Sequence, residues 1–257
     1  MKAKNLLALL MICFLQGNAS AQEYIGRAEA TQTVQLHPEI SARITRVQFA
    51  EGSFVKEGAT LFTLNPAQFQ AQVQLRKAQL ANAQAVLDGA KKYLARLKTA
   101  DKRSVPASDI DTADSEVKQA QAQVAEAKAE LKLSQIDLNN TRVYAPISGY
   151  IGRAEFTRGN YVSPENVLAS IVQTDPARIS FGMTDRDYLA NKDKPAEYTL
   201  TLADGSTYPH KAELDFTSTT MNPETGTITI FLRVPNENHT IIPGAIVRVN
   251  VTYPSGD

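Results

Sequence analysis

The fold is decided by the stretch QVQLRKAQLANAQAVLDGAKKYLARL, residues 72–97. Apolar residues recur here at every seventh position, and a companion row three positions away is interrupted only by Arg76. The two rows are Val73, Leu80, Leu87 and Leu94, and Phe69, Ala83, Ala90 and Leu97. A seven-residue repeat with a narrow apolar seam predicts a helix that packs against a second helix.

A second stretch, IDTADSEVKQAQAQVAEAKAELKLSQIDLNNT at residues 110–141, repeats the pattern. Its rows are Ile110, Val117, Val124, Leu131 and Leu138, and Ala113, Ala120, Ala127, Ser134 and Thr141. Large residues in one row can face Ala or Ser in the other, so the two helix axes can approach closely. The two stretches together predict an antiparallel coiled-coil hairpin over residues 66–141, with a left-handed supercoil.

The outer faces of this hairpin carry mainly Gln, Lys, Glu, Asp and Ala. Two helices of an ordinary globular bundle would need a wider apolar face. We therefore expect the two helices to pack only against each other, with their outer faces exposed to water. Asn65 before Pro66 predicts the first helix start, and residues 99–107 hold the polar and proline signals of a turn. Ser108 is the predicted cap of the second helix. With about 33 residues each, the helices would extend roughly 50 Å.

Residues 1–21 have the pattern of a secretory signal peptide. Lys2 and Lys4 precede an apolar run at residues 6–15, and Ala19-Ser20-Ala21 supplies a small-x-small cleavage site. The run is shorter than the roughly 20 apolar residues that a membrane-spanning helix needs. We therefore expect export and cleavage after the last of these residues, with a retained N-terminal anchor as the alternative.

The charge balance argues against a nucleic-acid partner. The chain has 27 Lys and Arg and 27 Asp and Glu, and removal of Lys2 and Lys4 leaves 25 basic against 27 acidic residues, a difference of −2. There is no basic stripe of the kind that binds a phosphate backbone. Cleavage would also remove the one cysteine, Cys13, which excludes cysteine nucleophile chemistry and suits an oxidising compartment.

Two β-rich segments that resemble each other flank the hairpin. They are HPEISARITRVQFAEGSFVKEGATLFTLN at residues 37–65 and YAPISGYIGRAEFTRGNYVSPENVLASIVQ at residues 144–173. Each contains a strand, a turn at Gly52 or Gly159, a valine shortly afterwards and a final alternating strand. Such a duplication predicts a flattened barrel built from two interlocked halves, with the hairpin inserted between them.

The last third of the chain reads as a series of alternating strands. The candidates are Arg178–Met183, Tyr198–Leu202, Tyr208–Phe216, Thr227–Val234 and Ala245–Tyr253, and a capping box at Thr184–Asp187 predicts a short helix through Asn191. Regular spacing with Asp-Gly and Pro-Gly turns predicts a small antiparallel β-barrel. The expected fold class is therefore α+β, mainly β.

No constellation of catalytic or metal-binding residues is found in the sequence. The three histidines are scattered and lie outside any ligand spacing; they are His37, His210 and His239. The acidic residues Asp109, Asp111, Asp114 and Glu116 lack the glycine of a calcium-binding loop and lie in the first turns of a helix, where carboxylates are favoured. We expect no enzyme activity, no cofactor and no metal.

Three motifs carry a family resemblance. EGSFVKEG at residues 51–58 and APISGYIG at residues 145–152 resemble the paired signatures of biotinyl/lipoyl-like domains in periplasmic adaptors, the membrane fusion proteins of tripartite efflux pumps. TGTI at residues 225–228, leading to IIPGAIVRV at residues 241–249, is similar to the β-barrel of the RND branch. The resemblance covers residues 24–253. The inserted hairpin replaces the turn that bears the modified lysine in carrier domains, so carrier function is not expected of Lys56.

The resemblance implies a domain organisation. Residues 36–65 plus 142–173 would form a split lipoyl-like barrel-sandwich domain, residues 66–141 the hairpin, and residues 24–35 plus 174–253 the β-barrel. Adaptors of this branch usually add a membrane-proximal domain built from both termini, which we expect to be absent or incomplete in this chain.

The resemblance also implies a function. The protein would lie in the periplasm, peripheral to the inner membrane, and assemble into a ring that links an RND transporter to a TolC-like outer-membrane channel. The exported compounds would be drugs or other small molecules. An adaptor of an ABC- or MFS-linked system is the alternative, although those adaptors commonly retain an N-terminal anchor.

The tip of the hairpin would contact the channel. The residues that the resemblance places there are Arg96, Leu97, Arg103, Ser104, Val105, Pro106, Ser108 and Asp109. This tip departs from the family's spaced Arg, Leu and Ser pattern, because Arg96 and Leu97 are adjacent and Pro106 stands where a serine is expected.

Overall fold

The computed structural model describes residues 21–100 and 106–254. Residues 1–20 of the predicted signal peptide, and Arg103, Ser104 and Val105 of the predicted tip, lie outside the described residues. Within the described ranges, no helix is both long and apolar enough to cross a membrane. The chain divides into two compact units, one formed by Val34–Ile171 and the other by the described residues on either side of it.

The structure has fourteen strands and three helices in its described residues. The strands are β1 Ala21–Glu29, β2 Gln32–Leu36, β3 Ala42–Val47, β4 Phe54–Val55, β5 Thr60–Leu64, β6 Arg142–Tyr144, β7 Gly149–Ile151, β8 Tyr161–Val162, β9 Ala169–Gln173, β10 Ala177–Thr184, β11 Glu197–Thr201, β12 Glu213–Asn222, β13 Thr227–Val234 and β14 Ile246–Thr252. The helices are α1 Ala67–Thr99, α2 Ala107–Asn139 and α3 Asp185–Asn191.

The first unit contains a sandwich of two four-stranded sheets. Their strand orders are β2-β9-β7-β4 and β6-β5-β3-β8. Each sheet combines strands from both of the similar segments, because Ala42 of β3 pairs with Val162 of β8 and Val55 of β4 pairs with Gly149 of β7. The predicted interlocking of two halves is confirmed. The core between the sheets consists of fully buried residues, which include Ile44, Phe62, Leu64, Ile151 and Ile171.

The two predicted glycine turns hold equivalent positions in the halves. Gly52 and Gly159 have φ of +75° and +97°, a region that favours glycine. The Gly52 N–H donates to the Ile151 carbonyl of the other half, and the Gly159 N–H donates to the Ile44 carbonyl, each at 2.9 Å. Each half therefore closes its turn on the other half.

The helix starts agree with the sequence at α1 and differ at α2. The Asn65 side-chain oxygen accepts from the Ala67 N–H at 3.1 Å, and α1 begins at Ala67. The prediction that Ser108 caps the second helix is wrong, since α2 already begins at Ala107. Pro106 is the extended residue before that helix, because its ring fixes φ and it needs no N–H partner there.

The second unit is a six-stranded antiparallel sheet in the order β11-β14-β1-β10-β13-β12. The predicted strand from Tyr208 is wrong in its first part, since β12 begins at Glu213. Pro209 cannot donate to a strand ladder, and the buried Tyr208 instead donates through its hydroxyl to the Pro235 carbonyl at 2.8 Å. The short helix α3 begins as predicted, with the Thr184 hydroxyl accepting from the Asp187 N–H at 3.2 Å.

A fully buried amide organises one end of this unit. The Asn236 side chain donates to the carbonyls of Thr174 and Ile241, both at 2.9 Å, and accepts from the Ile241 N–H at 3.1 Å. The Asn236 N–H donates to the Asp175 carboxylate at 2.8 Å. Because a buried polar group without a partner is costly, the amide joins the start of β10 to the loop before β14.

We expect the substitution Asn236→Leu to destabilise the β-barrel unit by about 3 kcal/mol, because it leaves two carbonyls and one N–H without partners. The measurement is hydrogen exchange by mass spectrometry on peptides from residues 172–254 in increasing denaturant. Asn238→Leu, at an exposed position of the same loop, is the control. Equal effects of the two substitutions would contradict the structural role of the buried amide.

Candidate docking site: the helical hairpin

The helices α1 and α2 pack along the two predicted rows, which together we call the seam. In α1, every buried or half-buried residue belongs to these rows, and the fully apolar part of the contact is formed by Leu87, Leu94, Ala113, Val117 and Ala120. In α2, Asp114 and Glu130 are half-buried in addition, and both make ion pairs. The apolar contact is narrow, and the remaining surface of both helices is exposed to solvent.

An ion pair fills the one polar position of the α1 seam. The Arg76 guanidinium lies 2.7 Å from the Glu130 carboxylate and also donates to the Gln79 side chain at 2.9 Å. The two charged side chains are 28% and 41% exposed, so water screens the pair and its contribution to stability is small. Near the other end of the helices, Lys98 lies 4.0 Å from Asp114. The two ion pairs together show that α1 and α2 are antiparallel.

The base of the hairpin is joined to the sandwich by backbone hydrogen bonds. The Leu64 N–H donates to the Thr141 carbonyl at 2.7 Å, and the Asn65 N–H donates to the Arg43 carbonyl at 2.8 Å. The Asn140 side chain donates to the Glu39 carboxylate at 2.7 Å. The residues that flank the two helices, Asn65 and Thr141, are therefore held by β3 and β5.

The opposite end carries the predicted docking residues. Arg96 is exposed, with its guanidinium carbon 5.9 Å from the centre of the Tyr93 ring, and Leu97 is half-buried against the apolar seam. Pro106, Ser108 and Asp109 are exposed at the start of α2. The structure thus brings five of the eight predicted residues to one end of the hairpin, and the other three lie outside the described residues.

Sequence reasoning missed the role of one carboxylate near this end. Asp114 contacts the Lys118 ammonium at 2.8 Å and the Lys98 ammonium at 4.0 Å. The hydrogen bond from Lys118, followed by its charge, lowers the pKa of the Asp114 carboxyl, and the same contact raises the pKa of Lys118. The Asp-x-x-x-Lys spacing was the available signal, because residues four apart meet on a helix.

The side chains that could serve as metal ligands lie apart from one another in the described residues. No group of three or more His, Cys, Asp or Glu side chains among them could hold a metal ion. Each histidine has another contact: His37 with the Pro164 carbonyl at 3.2 Å, His239 with the Thr174 hydroxyl at 3.0 Å, and His210 with the Tyr208 ring. Lys56 is exposed in the turn between β4 and β5. It does not lie at the insertion point of the helices, which follows β5.

The chain thus combines an interlocked sandwich, a helical pair inserted between its halves and a six-stranded antiparallel sheet that follows in sequence. Two family models match the chain: "RND MFP, barrel-sandwich hybrid domain" over residues 32–174, and "RND MFPs, beta-barrel domain" over residues 167–254. The chain belongs to the RND membrane fusion protein family. This family is one of adaptors and is not a known enzyme class.

Proteins with related sequences carry names that agree with this family. The chain is 31% identical over 243 residues to the multidrug efflux pump subunit AcrA of Escherichia coli K12, which covers 89% of this chain and 61% of AcrA. It is 36% identical over 236 residues to the efflux pump periplasmic linker BepF of Brucella suis, covering 88% of this chain and 57% of BepF. The chain therefore spans about three fifths of the length of these relatives.

A solved structure supports the fold. The membrane fusion protein Spr0693 of Streptococcus pneumoniae R6 superposes with a TM-score of 0.71 at 15% sequence identity. The match covers 91% of this chain and 100% of that structure. The mixed α/β architecture with barrel-sandwich and β-barrel parts is thus shared at low sequence identity.

We expect Ala113→Leu to destabilise the helical pair by about 1–3 kcal/mol, because Ala113 is buried in the apolar contact between α1 and α2 and a larger side chain would overpack it. Thermal unfolding followed by helical circular dichroism measures the change. Ala122→Leu places the same side chain on the exposed surface of α2 and is expected to leave the transition within about 0.5 kcal/mol of the parent. Two equal shifts would show that the seam is not the packed contact.

Proposed function

We propose that this protein is the periplasmic adaptor of a tripartite RND efflux pump. It links an inner-membrane RND transporter to a TolC-like outer-membrane channel and serves the export of drugs or other small molecules. The observation that carries the proposal is a helical pair with water-exposed outer faces, inserted between the halves of a sandwich that matches the RND adaptor model. The names of AcrA and BepF support export and a periplasmic location.

The proposed role is mechanical. A narrow seam and polar outer faces suit a spacer or docking rod, and they provide no enclosed site in which a reaction could occur. The protein binds and aligns its partners, and the transporter supplies the energy. It acts without a cofactor and is peripheral to the inner membrane.

The domain assignment follows the same proposal. Residues 32–65 plus 142–173 form the lipoyl-like domain, residues 66–141 form a left-handed coiled-coil hairpin, and residues 24–31 plus 174–253 form the β-barrel. The boundary expected from the sequence at residue 36 moves to residue 32, because β2, Gln32–Leu36, pairs with β9 in a sheet of the sandwich. The extents of the two family models, 32–174 and 167–254, support this division. The lipoyl-like and barrel parts of several copies would pack side by side into the wall of a ring.

The tip at residues 97–109 is proposed to meet the channel. Leu97 is the last residue of the α1 seam, so its half-buried side chain can extend an apolar contact to a partner. Arg96 and Asp109 offer opposite charges beside it, and both are exposed. These contacts would orient the hairpin end on, and the helical pair would set the distance between the channel and the sandwich.

Cross-linking from the tip tests the docking proposal. A photoreactive probe attached at Ser104→Cys or Pro106→Cys is expected to capture a TolC-like outer-membrane channel in efflux-active cells. The same probe at Ala81→Cys, on the exposed middle of α1, is the control and is expected to capture none. A tip probe that never captures a channel, or co-purification with an ABC or MFS transporter instead of an RND transporter, would overturn the proposal.

Processing of the N-terminus tests the location. We expect the mature protein from a periplasmic extract to begin at Gln22, because the predicted signal peptide ends after Ala21. N-terminal sequencing or intact mass gives the answer directly. A mature protein that begins at Met1 and stays with the membrane fraction would favour a retained anchor.

A further inference from the structure

The two broad sides of the helical pair differ in chemistry. One side has a shallow groove, to which α1 contributes Val86, Gly89 and Tyr93 and α2 contributes Glu116 and Gln119. We use the name groove face for the surface formed by these five residues and by all other residues at the same heptad positions of α1 and α2. The Lys98–Asp114 ion pair lies at heptad positions on the other side of the seam and marks what we call the lysine face.

Apolar side chains are exposed on the groove face. Leu75 lies fourteen residues before Gly89, and Leu133 lies fourteen residues after Gln119, so both share the heptad positions of the groove lining. Leu75, Val86, Tyr93 and Leu133 are 52%, 49%, 45% and 63% exposed. These are large apolar side chains outside the seam, and Ile136, which is 43% exposed, is a further one that belongs to neither face.

The groove face is also acidic. Besides Glu130, which pairs with Arg76, α2 places four exposed carboxylates at the heptad positions of the groove lining. They are Asp109, Glu116, Glu126 and Asp137. The only basic residue of α1 at these heptad positions is Arg96. Carboxylates therefore outnumber basic groups on the groove face, which combines apolar side chains with negative charge.

The lysine face has the opposite charge. Six lysines occupy its heptad positions, against Asp88, Asp111 and Asp114. They are Lys77, Lys91, Lys98, Lys118, Lys128 and Lys132. Lys98 and Lys118 contact Asp114, whereas the other four make no ion pair with any residue that the structure describes.

The opposite charges lie at matching heights along the hairpin. Glu126 and Lys128 are two residues apart on α2, as are Glu116 and Lys118, so each pair differs in height by about 3 Å. The members of each pair lie on opposite faces. Two copies placed side by side at equal height would therefore bring the carboxylates of one copy to the lysines of the next.

From this complementarity we propose that the groove face of one copy packs against the lysine face of the next copy. The proposal deepens the ring assembly of the proposed function and rests on it. A contact between two different faces of the same chain repeats around a ring and leaves no face unused. A contact between two groove faces would oppose like charges, which disfavours a symmetric pair of hairpins.

Two glutamines allow a direct test by cross-linking. Gln119 is exposed on the groove face and Gln121 is exposed on the lysine face, two residues apart on α2. We would express Gln119→Cys and Gln121→Cys, each in full-length protein with Cys13→Ser, and treat cells with a short thiol-reactive cross-linker. Co-expression of the two variants is expected to give a dimer, each variant alone none, and the double variant in one chain a ladder of higher oligomers.

The charges are tested by reversal in the same assay. Glu126→Lys or Lys128→Glu, each added to the double-cysteine chain, is expected to lower the cross-linked yield about fivefold, since an attraction becomes a repulsion between exposed charges. The combination of both reversals in one chain is expected to restore the yield. Neither residue makes an ion pair among the described residues, so neither reversal removes an ion pair of the hairpin itself.

The outcomes separate this inference from the proposed function. A dimer from Gln119→Cys alone would overturn the inference, because it requires two groove faces in contact. Absence of any dimer from the mixed variants would also overturn it, while capture of the channel by the Pro106→Cys probe in the same cells would leave the adaptor function in place. Loss of both signals would count against the adaptor function itself.

Discussion

The hydrogen bond from the Leu64 N–H to the Thr141 carbonyl, 2.7 Å long, is the constraint on which the hairpin depends. It joins the end of β5 to the residue before β6, and these two strands are antiparallel neighbours in one sheet. The two helices therefore leave the sandwich side by side and in opposite chain directions. In the folded protein, the apolar seam and the Arg76–Glu130 pair continue the same antiparallel arrangement away from the sandwich.

Much of this geometry could be predicted because it is periodic in the sequence. The seven-residue repeat identified the seam, since a side chain that returns to one face of a helix must recur at that spacing. The duplicated segments identified the interlocked halves, and Gly52 and Gly159 indicated the turns, because a left-handed backbone favours glycine. In each case, the local backbone or packing geometry requires a particular type of residue at a fixed position in the sequence.

Features that depend on the partner of a residue could not be predicted in the same way. A repeat does not give the register of two helices, so Arg76 stood out as an interruption without its partner Glu130. The strand predicted from Tyr208 failed because burial of its ring and the missing N–H of Pro209 outweigh a favourable alternation. The docking residues at the tip stay predictions, because which residues make contact depends on the surface of the partner protein.

The insertion of the hairpin also bears on the order in which the chain folds. Strands β5 and β6 are separated by the whole of residues 65–141, and closure of a flexible loop costs more entropy as the loop lengthens. Contacts within a helical pair are closer in sequence and form on faster timescales than long-range strand pairing. We therefore expect the helices to associate first, so that their docking brings Leu64 to Thr141 and turns a distant pairing into a neighbouring one. The helical pair would thus act during folding as a connector that brings the two halves of the sandwich together.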